Sequence, residues 1–212
     1  MNLYKKVNRK LDTNNITSIT LDIFDTVLFR KIWPEDVQFL KVAKEWSYLF
    51  HNVFHRIITP EELYSYRIYA RHELISINQR YNKDSKPGDF SLTNDLEYDV
   101  NLRVWFAKIV DLLATKYHIQ LSENAKQKLI ETMITAELNT EKQNLIPNYK
   151  LIRDIAKLKR THRNLKVFFV SDMYLNSLEI MELFDHFDIK IFDGGITSEE
   201  AQHTKATGKL FD

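Results

Sequence analysis

Apolar positions fall into two regimes along the chain. Ile16 to Phe24 and Leu165 to Val170 are short runs rich in Ile, Val, Leu and Phe, and both stop at small polar or acidic residues. Near-continuous apolar runs of this length suit strands buried on both faces of a parallel sheet. A third run, Ile189 to Asp193, precedes Gly194 and Gly195 and is expected to be the next strand. Between the last two, LNSLEIMELFDHF places Leu175, Leu178, Met181 and Phe184 at helical spacing, which predicts a β-α-β unit.

From Pro34 to Asn148 the period is helical. Phe39, Leu40, Ala43, Trp46, Phe50 and Val53 form one stripe. TPEEL at 59–63 is a helix start, with Thr59 as cap, Pro60 in first position and Glu62 completing a capping box. Leu63, Arg67, Ala70, Leu74 and Ile77 then share a face. YNKDSKPGDFSLTND at 81–95 reads as a loop. A third helix is expected over Asp95 to Tyr117 with Val104, Trp105, Ile109 and Leu112 inward, and a fourth from Ser122 through Leu138. Pro147-Asn148 stops the bundle, and a helix over Tyr149 to Thr161 leads into the second strand. The expected fold is therefore α/β. Residues 1–30 and 149–212 form a Rossmann-like parallel core, and 31–148 a large helical cap inserted after the first strand.

Composition adds exclusions. The 212 residues are 44% hydrophobic, which suits one globular unit or a core with an insertion. Thirty basic and 29 acidic residues leave a formal charge of +1, so no global field draws the chain to nucleic acid or membrane. There is no cysteine, which removes disulfides and thiolate chemistry. MNLYKKVNRKLDTNN lacks the apolar centre of a signal peptide, and no apolar run is long enough to span a bilayer. A cytoplasmic location is the expectation.

Candidate chemistry sits at the strand ends, where open α/β sheets bind ligands. Asp22, Ser171 and Asp193 are all placed there by the expected strands. Thr26 follows the first strand, and Lys205 stands in TKATGKLF beside an expected helix start. A carboxylate, a hydroxyl, a lysine and helix N-terminal amides at one rim make a phosphate site.

LDIFDTVL, FFVSDMY and TKATGKLF, in that chain order, resemble the first three motifs of the haloacid dehalogenase superfamily. The likeness is greatest to a bacterial branch whose motifs read FDIFDT and SDMY; YSYRIYARHEL and AELNTEKQNLIPN also resemble that branch. The resemblance implies a magnesium-dependent phosphatase acting on a small phosphorylated metabolite through an aspartyl-phosphate intermediate. Asp22 would be the nucleophile, Ser171 would bind phosphoryl oxygens, Lys205 would orient both, and Thr26 would support the turn. Magnesium would bind Asp22 and the backbone carbonyl of Phe24. It also points to surface-polysaccharide contexts, with fusion to or cooperation with a glycosyltransferase.

Two departures stand out. Phosphatases of that superfamily carry an Asp two positions after the nucleophile, where this chain has Phe24. General acid–base help is worth ~10²–10⁴-fold, so either Asp25 substitutes or the leaving group needs little help. The chain also stops at Asp212 without the acidic pair of the fourth motif, so a piece of a longer protein with an incomplete magnesium site is expected. The alternatives are a non-catalytic scaffold or binding domain, and a dehalogenase-type hydrolase.

Other candidates weigh differently. Arg30 suits either substrate contact or a hinge ion pair; Arg67 and Arg71 suit salt bridges with Glu137 or Glu141 better than an anion site. Asp172 would contact substrate or cap the following helix, with capping favoured, and Glu199 with Glu200 read as a solvated helix start. The basic stretch Lys150 to Lys166 reads as a solvated helix face. The seven His lack metal-ligand spacing, and Gly208-Lys209 lacks the rest of a P-loop.

Overall fold

A computed structural model describes residues 3–14, 16–81, 100–205 and 208–211. In chain order the elements are α1 (Leu3–Asn14), β1 (Ser18–Leu21), β2 (Leu28–Arg30), α2 (Glu35–Phe54), α3 (Pro60–Tyr81), α4 (Leu102–Tyr117) and α5 (Glu123–Asn144). Then follow β3 (Leu145–Pro147), α6 (Tyr149–Thr161), β4 (Lys166–Ser171), α7 (Ser177–His186), β5 (Gly194–Thr197) and α8 (Ser198–Ala201), with a final 3-10 turn at Lys209–Phe211. The chain is thus mixed α/β, with a parallel sheet in the order β1-β4-β5.

Strand register sets the rim. Leu21 pairs with Phe169 and Ser171 with Thr197, so Asp22 emerges from β1 near the end of β4. The third strand is displaced from its expected position: Ile189 to Asp193 is not a strand, and the two glycines lie within β5. A Cβ on Gly195 would stand 2.2 Å from Cγ of Phe169, so only glycine lets this strand approach that ring. Asp193 therefore sits at the opposite end of the sheet from Asp22. Its carboxylate accepts from Lys159 Nζ at 2.7 Å and from the Val167 amide at 2.8 Å. The Lys159 bond, then the Val167 amide, draw its pKa down to about 2.

Helices α2 to α5 form a bundle in which α2 meets α3 and α5, and α4 meets the same two. Trp46, Phe50, Trp105, Phe106 and Met133 are fully buried in it, and their cluster runs on into the sheet residues Val167 and Phe169. Several expected inward positions face out instead: Leu40, Val104 and Leu178 are exposed, while Phe106, Val110, Leu113, Ile180 and Leu183 are buried. The exposed positions lie at the margins of stripes whose other expected members, among them Phe39, Trp46, Trp105, Ile109 and Phe184, are buried. Thr59 accepts the Glu62 amide at 3.2 Å, but the Glu62 carboxylate turns to Lys116 and Tyr117, so the box is half formed. The α4 helix starts at Leu102 behind the Asn101 cap, and α5 runs to Asn144, beyond Leu138. Of the expected 81–95 loop, Tyr81 ends α3; the rest, with PGDF, and the first residues of the expected third helix lie outside the described residues.

A ribbon of β2 antiparallel to β3 joins the strands leaving and re-entering the sheet region. It is extended by Lys31 N donating to Asn144 O at 2.7 Å and Asn148 N donating to Val27 O at 2.8 Å. The polar N-terminus holds an amphipathic helix, α1, whose short apolar stripe is masked by charged neighbours in the sequence. Tyr4, Val7 and Leu11 of α1 face α6, and Asn8 meets His162 Nε2 at 3.1 Å. Among the described residues, no helix is long and apolar enough to cross a membrane.

Candidate functional site

Asp22 is the first residue beyond β1, and its carboxylate receives a residue from the far end of the chain. Lys205 Nζ donates to Asp22 Oδ1 at 2.8 Å, and the Ile23 amide donates to the same oxygen at 2.9 Å. The carboxylate remains accessible, its side chain 42% exposed. Asp172 positions the lysine: its Oδ1 accepts the Lys205 amide at 2.8 Å. The helix-capping role expected for Asp172 belongs to Asn176, which forms a reciprocal box with Glu179 at the start of α7. Lys205 lies in the segment after α8 rather than beside a regular α-helix start.

The turn after Asp22 is built on one carbonyl. Ile23 O accepts the amides of Thr26, Val27 and Leu28 at 3.3, 2.8 and 2.9 Å. Asp25 takes a left-handed conformation with φ 58°, which Asp tolerates better than most residues, and its amide donates to Leu28 O. Thr26 is held at both ends, its carbonyl accepting from Asn148 Nδ2 at 3.0 Å. Asp25 does not continue an extended strand. Its carboxylate accepts Arg30 Nη1 at 2.7 Å, and the guanidinium lies 4.6 Å from the centroid of the Phe24 ring. Phe24 is buried, so position 24 is a platform for Arg30 rather than an open place at the rim.

Ser171 ends β4 but lies beneath the surface, 1% exposed. The expected hydroxyl is at the expected strand end. Glu199 also departs from expectation. It is buried and accepts from Asn101 Nδ2 at 2.9 Å, while Glu200 accepts from Ser177 Oγ at 2.6 Å.

Magnesium takes hard oxygen ligands and is commonly held by one or two carboxylates, with phosphate and water completing its shell. Asp22 and the Phe24 carbonyl are of that kind, so the donor chemistry fits such a partial set. Among the described residues, no three His, Asp or Glu gather into a metal cluster.

Behind this rim lies a buried polar network. Arg67 is fully buried and pairs bidentately with Glu137 at 2.5 and 2.8 Å, a salt bridge expected for it. Burial pulls the Arg67 pKa down, but Glu137 outweighs it, so the net shift is upward. Five aromatic rings surround the guanidinium, Phe39 nearest with its centroid at 3.9 Å. The Arg71 guanidinium lies 5.5 Å from the centroid of the Trp105 ring. Tyr174, two residues beyond Asp172, inserts into this cluster with its hydroxyl 2.8 Å from Glu137 Oε1 and 3.1 Å from Glu141 Oε1. Gln38 Nε2 donates to the same Glu141 oxygen at 2.5 Å. Burial, then the neighbouring Glu137 charge, push Glu141 up to about 7. Tyr174 appeared in the sequence as the last letter of a motif, and nothing in its spacing signalled this contact.

A separate groove of about 620 Å³ lies between α3 and α4, lined by residues such as Tyr66, Tyr69, Lys108 and Lys116. It shares no residue with the Asp22 rim, and its two lysines already pair with Glu73 and Glu62.

No family model matches the chain, and no curated protein matches it.

Proposed function

We propose that the chain is a hydrolase of the haloacid dehalogenase type, with the parallel sheet as its Rossmann-like core and α2 to α5 as a helical cap. The observation that carries this reading is the Lys205 ammonium 2.8 Å from the Asp22 carboxylate, across 183 positions of sequence. An exposed carboxylate at a strand end, held by an ammonium group that is itself fixed through Asp172, suits attack on a phosphoryl group.

In this reading Asp22 Oδ2 forms a bond to phosphorus as the bond to the leaving oxygen breaks, and that oxygen departs with the electron pair. Water then bonds to phosphorus as the Asp22 oxygen–phosphorus bond breaks, its proton passing to bulk water, which releases inorganic phosphate and restores the carboxylate. Lys205 offsets the charge that nucleophile and phosphate bring together. Magnesium, held by Asp22 and the Phe24 carbonyl, would supply charge neutralisation at the phosphoryl oxygens. Phe24 has no proton to give, and Asp25 is engaged with Arg30. Substrates whose leaving group is a weak base, such as acyl phosphates and phosphoanhydrides, are therefore favoured over alkyl phosphates. A cytoplasmic small phosphorylated metabolite, with a glycosyltransferase as fusion or working partner, is the class the resemblance implies.

Phosphate release from acetyl phosphate with magnesium tests the reading. Wild type should turn over, and Asp22→Asn should lose activity by about 10³-fold or more, in line with loss of a covalent nucleophile. Equal rates for the two would sink the assignment. A second reading, a binding or scaffold domain without catalysis, is favoured by the burial of Ser171 and by Phe24. It predicts no turnover by either protein.

A further inference from the structure

Tyr174 belongs by sequence to the segment that follows β4, but by packing to the helical bundle. It is 3% exposed, and its ring lies 6.1 Å from Phe39 of α2 and 5.7 Å from Trp105 of α4. The residues just before it build the rim: Ser171 ends β4, Asp172 holds the Lys205 amide, and Met173 N donates to Ser198 Oγ at 2.9 Å. One side chain thus ties the segment behind the Asp22 site to helices more than thirty residues away in sequence.

The hydroxyl contacts set a proton count. Two oxygen–oxygen contacts flank it, 2.8 Å to Glu137 and 3.1 Å to Glu141, and a tyrosine carries one proton. Glu137 is ion-paired with Arg67, which suits it as the acceptor. The contact to Glu141 is then satisfied when Glu141 carries a proton and donates it to the tyrosine oxygen. With Glu141 ionised, two carboxylates face one hydroxyl in a buried space, and one contact is left without a proton.

We infer that Tyr174 is a positioning residue: its hydroxyl, held between Glu137 and Glu141, locks the segment carrying Ser171 and Asp172, and ionisation of Glu141 releases it. The groups facing Glu141 are Gln38 from α2, Glu137 on its own helix, Arg30 from β2 and Tyr174 from the segment after β4. Arg67 from α3 is committed to Glu137, and the Glu35 charge reaches both Arg67 and Tyr174. Arg30, the cation facing Glu141, is shared with Asp25. Glu141 Oε2 is buried without a hydrogen-bond partner among the described residues, so an ionised carboxylate there would be poorly solvated. The upward shift of Glu141 to about 7 puts this proton count in the neutral range.

As a device regulating the Asp22 site, the latch rests on the hydrolase reading, but its test does not need turnover. Amide hydrogen exchange over residues 171–176, corrected for intrinsic rates, is measured at about pH 6 and about pH 8.5 in wild type, Glu141→Gln and Tyr174→Phe. In wild type, protection should fall by about tenfold at the higher pH, the response to one uncompensated proton. Glu141→Gln, which cannot ionise, should show the same protection at both. Tyr174→Phe should be unprotected at both. Wild-type protection that does not change with pH, a Glu141→Gln response equal to wild type, or a Tyr174→Phe profile equal to wild type would overturn the latch. Absence of phosphatase activity with the exchange pattern intact would overturn the hydrolase reading and leave the latch standing.

Discussion

The Arg67–Glu137 pair offers the sharpest test of how the helical bundle is held. Both side chains have zero exposure, and the guanidinium makes two bonds to the carboxylate. Replacing Glu137 by Leu leaves a buried cation without its partner, which costs about 3–5 kcal/mol. The Tyr174 hydroxyl also loses its 2.8 Å acceptor, adding about 1 kcal/mol. The rings around Arg67 do not offset this, because they are present in both proteins. A total of about 4–6 kcal/mol lowers the melting temperature of a chain this size by roughly 10–20 °C. Urea unfolding followed by the fluorescence of the buried Trp46 and Trp105 measures it. The double change Arg67→Met with Glu137→Leu removes both charges while keeping volume, and should recover most of the loss. A single variant that loses less than about 1 kcal/mol, or a double variant no more stable than the single, would refute the view that this pair is desolvated and mutually required.

Three further outcomes are expected. Gly195→Ala places a methyl group 2.2 Å from Phe169 Cγ and should destabilise by about 1–3 kcal/mol, read as a lower urea midpoint at unchanged slope. Lys205→Met should cut acetyl phosphate turnover by about 10²-fold or more without lowering stability by a similar factor, since the lysine is partly exposed and bonded to a single carboxylate oxygen. Glu141 is raised from 4.5 to about 7 in the folded chain, so the folded state holds that proton more tightly than the unfolded state. Its stabilising contribution is complete below about pH 4.5 and is lost as pH rises through about 7. Glu141→Gln should therefore flatten the stability profile over that window, and a profile as steep as wild type would count against the shift.

What is legible in the sequence is what depends on local composition. The Asp22 and Ser171 strand ends and the α6 helix follow from runs of Val, Ile, Phe and Leu. The Asp22–Lys205 contact was legible because both residues sit in motifs whose order implies one rim. The errors lie where a neighbour across the sheet decides. Gly194 and Gly195 read as a strand end, yet the ring of Phe169 on β4 makes glycine the residue that this strand needs. Glu141 and Tyr174 are individually ordinary, and only the meeting of α2, α5 and the segment after β4 brings them into contact.

Phe24 shows most clearly why a motif position cannot be read alone. Compared with a phosphatase pattern, it is a missing acid. In the fold its ring lies under Arg30, and Arg30 holds the Asp25 carboxylate in a left-handed turn. Exchanging Phe24 for Asp would bury a carboxylate in the space of the ring, beside a guanidinium already bonded to Asp25. That new acid would be drawn into the ion pair rather than freed as a proton donor. On the hydrolase reading, placing a proton donor at this rim therefore requires changing Arg30 together with Phe24. The pair Phe24→Asp with Arg30→Met should raise turnover of an alkyl phosphate above that of Phe24→Asp alone. If the single substitution performs as well as the pair, Arg30 does not hold the turn in the way its geometry suggests.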